Sequence, residues 1–90
     1  MIEPIIVEPL SNYKVFIEYN DGMKGELDIT KLLKRDEYDC LKDENFFSKV
    51  YIDEKSKDIC WNNKIVLCKD AIYKQLELRS LMNRLKIKLD

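Results

Sequence analysis

An Asn-Asp-Gly triplet at residues 20–22 separates two runs of alternating apolar and polar residues, 13–19 and 23–29, so the chain turns back on itself there as a β-hairpin. The composition of the two runs fixes the register. A two-residue loop at Asp21-Gly22 would set Ile17 against Glu26 and Val15 against Asp28, mixing charge into the apolar face. A three-residue loop instead pairs Tyr19 with Met23, Ile17 with Gly25, Val15 with Leu27 and Tyr13 with Ile29. The opposite face then carries Lys14 with Asp28 and Glu18 with Lys24, two pairs of opposite charge. The three-residue loop is therefore expected, with Gly22 as the left-handed residue of a bulged turn.

The same reasoning predicts a three-stranded meander over residues 50–67. Val50 and Ile52 face Trp61 and Ile59 across the polar loop 54–57, and a three-residue loop at 62–64 sets Trp61 against Ile65 and Ile59 against Leu67. Residues 4–10, apolar and bounded by prolines, suit an edge strand. Between the hairpin and the meander, Thr30 is expected to cap a turn through Lys34, and Asp43 a short helix over residues 44–48. From Asp70 the apolar spacing changes to three and four residues without Gly or Pro, which predicts a helix over about 70–86 with Asp70 as its N-cap. The expected fold is α+β: an antiparallel sheet made of the hairpin and the meander, with the short helices and the C-terminal helix packed on one face. Val15, Ile17, Leu27, Phe46, Val50, Ile52, Ile59, Trp61, Ile65, Leu67, Ile72 and Leu76 form the expected core.

Ninety residues make a single domain, since chains divide into several cores only beyond about 250 residues. The chain has no histidine, which removes imidazole bases, Ser-His and Cys-His nucleophiles and His-ligated metals. Cys40, Cys60 and Cys68 are odd in number and contain no Cys-x-x-Cys pair, so neither a zinc site nor a disulfide framework is expected. Thiols of this kind, together with the lack of a signal peptide or a long apolar run, suggest a cytoplasmic protein without a membrane span. The acidic groups Asp36-Glu37-Asp39, Asp43-Glu44 and Asp53-Glu54 fall in expected turns beside lysines and read as solvated charge, not as catalytic pairs. No phosphate loop or hydrolase motif occurs, so no catalytic residue, cofactor or metal is expected.

Charge is split along the chain. Residues 1–68 carry ten Lys and Arg against fourteen Asp and Glu, and residues 69–90 carry six against three. The last helix also has more apolar residues than one core-facing stripe needs, which usually marks contact with another chain. Leu78, Leu81, Leu85 and Leu89 are accordingly the expected partner-binding residues of a non-enzymatic interaction module, docking on a partner or on a second copy. The alternative is a nucleic-acid-linked regulator, of transcription or in a toxin–antitoxin-like pair, using Arg79, Arg84, Lys86 and Lys88 on phosphates. Trp61 and Tyr73 could stack bases, but both fall at core-facing positions.

Pro4, Val7, Pro9-Leu10, Tyr13, Asp21-Gly22, Leu27-Asp28, Leu32-Leu33, Leu41, Asp43 and Phe46 come in an order and spacing that continue through Val50, Ile59-x-Trp61, Ile65, Leu67, Asp70 and Tyr73. In this the chain resembles, over about residues 4–73, a family of short bacterial proteins known as domain of unknown function 2442. The resemblance implies a small α+β fold with helices on one side of the strands, and brings no catalytic residue, cofactor or substrate. Relatives are often encoded beside another small uncharacterised protein, and some carry a helix-turn-helix extension, which implies paired or regulatory roles. The tail beyond Tyr73 departs from that pattern and is too short for a helix-turn-helix of its own.

Overall fold

The hairpin closes in the register that its charges demand. In the computed structural model, which describes residues 1–62 and 64–89 and the side chains through Arg84, strands β2 (Lys14–Tyr19) and β3 (Lys24–Asp28) pair Val15 with Leu27, Ile17 with Gly25, Lys14 with Asp28 and Glu18 with Lys24. The Tyr19 N–H donates to the Met23 carbonyl at 2.7 Å across the three-residue loop, and Gly22 adopts φ 94°. Strand β1 (Pro4–Leu10) pairs antiparallel with β2, and the first sheet runs β1-β2-β3. A proline has no N–H to give to a ladder, which suits Pro4 and Pro9 to an outer strand.

The meander forms a second three-stranded sheet from β4 (Tyr51–Ile52), β5 (Ile59–Trp61) and β6 (Ile65–Leu67). Ile52 pairs with Ile59, Ile59 with Leu67, Cys60 with Val66 and Trp61 with Ile65, as expected. The two sheets share one core, in which Val15, Ile17, Tyr19, Leu27 and Ile29 from the hairpin region meet Ile59, Trp61 and Ile65 from the meander. The three cysteines are free thiols, and burial of Cys60 pushes its thiol pKa up.

The connecting segment differs in detail from expectation. Thr30 does not cap the 3-10 turn Leu32–Lys34; its N–H and hydroxyl both donate to Asp28 Oδ1, so Asp28 closes the turn from the strand side. A second 3-10 stretch, Asp36–Lys42, buries Leu41, and Asp43 then caps α1 (Glu44–Phe47) by accepting from the Asn45 N–H at 2.9 Å. The phase of this short helix buries Phe47 and leaves Phe46 only half-buried, the reverse of what the sequence suggests. Val50, Ile52 and Leu67 are likewise half-buried, and Tyr19, Ile29, Leu41 and Cys60 join the core in addition.

The loop between β4 and β5 is organised by Asp53, whose carboxylate accepts from the Lys55 and Ser56 N–H groups and the Ser56 hydroxyl. These bonds hold its pKa below the ordinary carboxylate value. Lys57 closes the loop at φ 64°, a left-handed conformation that costs an ordinary residue about 1–2 kcal/mol. Lys57→Gly is expected to raise stability by about 0.5–1 kcal/mol, the gain being reduced by the greater freedom of glycine in the unfolded chain. Thermal unfolding by circular dichroism checks this, and an unchanged or lower Tm would contradict it.

Candidate interaction surface

Helix α2 (Lys69–Leu89) is tied to the body along its first half by contacts of Lys69, Tyr73 and Arg79. Asp70 is not its N-cap but lies inside the first turn. The Lys69 N–H donates instead to Asp58 Oδ1 at 2.9 Å, a carboxylate placed by the start of β5, where its negative charge suits the helix N-terminus. The buried Tyr19 donates its hydroxyl to the Lys69 carbonyl at 2.7 Å, and burial, with Asp70 nearby, pushes its pKa well above the ordinary phenol value. One turn on, Tyr73 donates to Asp21 Oδ2 at 2.6 Å and meets Tyr19 edge to face, with ring centroids 5.0 Å apart. That hydrogen bond raises the Tyr73 pKa and lowers that of Asp21.

Ile72 and Leu76 then bury themselves against the sheets, and Leu76 lies directly over Gly25. Arg79 donates from its guanidinium to the Glu26 carbonyl on β3. In antiparallel pairing the bonded pairs alternate, so the Tyr19–Met23 bond makes Glu26–Phe16 a non-bonded pair whose carbonyl points away from β2. Arg79 therefore covers part of the free edge of β3.

From Leu78 onward the helix presents apolar residues to water. Leu78, Leu81 and Met82 are 57%, 49% and 66% exposed. A helix turns about 100° per residue, so the arc from Leu81 through Leu78 to Met82 covers about 100° and faces away from Ile72 and Leu76. No side chain of the arc is needed to close the core. Two shallow grooves border it: Met23 with Leu78, Leu81 and Arg84 on one side, and Gln75 and Arg79 with Leu78 and Met82 on the other.

Of the residues singled out in the sequence, Leu78 and Leu81 come together on this surface, whereas Leu85 and Leu89 lie outside the described side chains. Arg84 borders the same groove, Arg79 is partly engaged by the protein's own backbone, and Lys86 and Lys88 also lie outside the described side chains. Met82 and Met23 were not among the expected site residues. The four-residue step from Leu78 to Met82 was legible, but the nearness of Met23 depends on how the helix docks.

Elsewhere the chemistry is sparse. Trp61 is fully buried and Tyr73 is hydrogen-bonded to Asp21, so the two form no stacking platform. The carboxylates with shifted pKa values, Asp21, Asp28 and Asp53, are all shifted downward, away from what a general acid needs at neutral pH. Among the described residues no group of three or more Cys, Asp or Glu converges as a metal site, and no helix is long and apolar enough to cross a membrane. A family model described as a protein of unknown function (DUF2442) matches residues 4–77. No curated protein and no solved structure matches the chain.

Proposed function

The chain belongs to the DUF2442 family of proteins of unknown function, and from that premise we propose that it is a non-enzymatic protein-interaction module that receives another chain on the outward arc of α2. The observation that carries this reading is the cluster of Leu78, Leu81 and Met82, large apolar side chains left in water on the side of the helix turned away from its own core. On a small domain an exposed apolar cluster rimmed by polar groups is the usual mark of a contact surface. The lack of histidine, which removes imidazole chemistry, supports a role in binding.

The nucleic-acid alternative is less well supported. Its residues Arg79, Arg84, Lys86 and Lys88 are four cations, and Arg79 gives one N–H to the Glu26 carbonyl. Duplex binding typically engages about six to ten phosphates.

Site-specific photo-cross-linking in the producing cells tests the reading. A photoreactive residue at position 82 is expected to give a discrete adduct of higher mass, reduced at least about tenfold by Leu78→Glu, the loss typical of a charge placed inside an interface. The same group at Val66, 54% exposed on the second sheet, serves as the control. Absence of an adduct from position 82, or the same adduct from position 66, would refute the proposal.

A further inference from the structure

Resting on that reading, we infer that the occupant of the α2 arc is an amphipathic helix edged with carboxylates, and not a second copy of this chain. The spacing of the arc points to a helix. Leu78 and Met82 are four residues apart, and the sequence continues at Leu85 and Leu89, giving steps of four, three and four. This alternation is the seam on which one helix packs along another. An arc about 100° wide suits one such partner helix. The methionines Met82 and Met23, one on the arc and one on the groove wall, can adapt to the knobs of an incoming side chain. An extended peptide adding to β3 would instead need the edge carbonyl of Glu26, which Arg79 already holds.

The electrostatics of the rim point to acidic edges. Arg79 lies about 60° beyond Met82 on one side, Arg84 about 60° beyond Leu81 on the other, and Lys74 one turn below Leu78. Glu77 is the one acid beside the arc among the described side chains, facing the groove that Arg84 borders. No ion pair among the described residues engages Lys74, Arg79 or Arg84. Arg79 is bonded to a neutral carbonyl, and Asp28 acts on its charge only from beyond ion-pair distance. A second copy would bring the same surplus of cations to the same seam, and like charges flanking a helix pair oppose it. The chain's own acidic cluster at Asp36, Glu37 and Asp39 belongs to a seven-residue 3-10 stretch, which offers no apolar helical stripe. Carboxylates on a separate partner helix satisfy both the seam and the rim.

The test uses two labelled, designed peptides of about 18 residues, or five turns, with leucines at three-four spacing. One carries Glu at the flanking positions and the other Lys. Fluorescence anisotropy with the full chain is expected to give at least about tenfold tighter binding of the Glu-edged peptide, a preference that shrinks toward about 1 M salt, where the Debye length falls to about 3 Å. Lys74→Glu with Arg84→Glu, both at exposed positions, is expected to reverse the preference, whereas Met82→Glu removes binding of both peptides. Equal affinity for the two peptides would overturn the inference and leave the docking surface standing. If neither peptide binds and sedimentation shows a dimer that Met82→Glu dissolves, the occupant is a second copy and the inference again fails alone. If neither peptide binds and the chain is a monomer giving no cross-link from position 82, the docking surface fails with it. Met82-dependent binding to phosphatidylglycerol vesicles, with no peptide binding, would replace both proposals with a lipid surface.

Discussion

Trp61→Ala is expected to bring the protein to the edge of unfolding. Trp61 is fully buried where the two sheets meet, its ring stacks on Phe47 at a centroid distance of 6.0 Å, and its indole N–H donates to the Phe47 carbonyl at 2.9 Å. Phe47 in turn meets Tyr13 edge to face at 5.5 Å, and Tyr13 donates its hydroxyl to the Lys42 carbonyl. Trp61 and Phe47 together thus secure the meander, α1 and the turn that leads into β2 to one another. Truncating a buried tryptophan costs about 3–5 kcal/mol, against a total stability of about 5–13 kcal/mol for a domain of this length. Tm should fall by about 15 °C or more. Trp61→Phe separates packing from hydrogen bonding: it keeps an aromatic ring in the cavity but leaves the Phe47 carbonyl without its donor, at an expected cost of about 1–3 kcal/mol. Chemical denaturation of both variants checks the order. A Trp61→Ala protein within 1 kcal/mol of the parent, on the order of the smallest core effects, would mean that the two sheets are held together elsewhere.

The hairpin and the meander were legible because each carries its register in adjacent residues. Lys14, Glu18, Lys24 and Asp28 make only one pairing favourable, and Gly22 supplies the one residue at ease at φ 94°. Asp43 was legible as a cap for the same reason, since a cap acts over two or three residues. What escaped was non-local. Asp58 caps α2 from eleven positions upstream, and the Glu26 carbonyl meets Arg79 across fifty-three positions, pairings to which no periodicity points. Phe46 and Phe47 changed places because a helix of four residues has no period long enough to fix its phase. The candidate surface lies between these cases. An excess of leucines in α2 was visible, and with it Leu78 and Leu81. Which stripe faces water was not, because the two stripes differ only by rotation about the helix axis, and the docking of Ile72 and Leu76 settles that rotation.

That rotation depends on Gly25, and Gly25→Val is expected to disturb it at a cost of about 1–3 kcal/mol. Gly25 has no unusual backbone conformation; its value is space. A Cβ at this position would stand 2.9 Å from Leu76 Cδ2, closer than carbon atoms ordinarily approach. Valine would otherwise favour a strand by up to about 1 kcal/mol, so the sign depends on whether Leu76 can yield. Leu76 is only 4% exposed and, with Ile72, is one of the two buried apolar anchors among the described side chains of α2, so its tip can give by a few tenths of an ångström but making room for valine moves the helix. Gly25→Ala, which needs a shift of a few tenths of an ångström at the end of one side chain, should cost less than Gly25→Val. Leu76→Ala alone should cost about 2–5 kcal/mol by leaving a cavity over Gly25. If the two residues share one space, the double variant Gly25→Val with Leu76→Ala should be more stable than the sum of the single losses predicts, by at least about 1 kcal/mol. Equilibrium denaturation of the four proteins measures that coupling, and strict additivity would show that the contact does not set the helix. The same displacement should reach the surface, because Leu78, Leu81 and Met82 follow from the seat of Leu76 by helical rotation. A Gly25→Val protein that remains folded should therefore lose the position-82 cross-link or shift it to another adduct, although none of the residues on the arc has been changed.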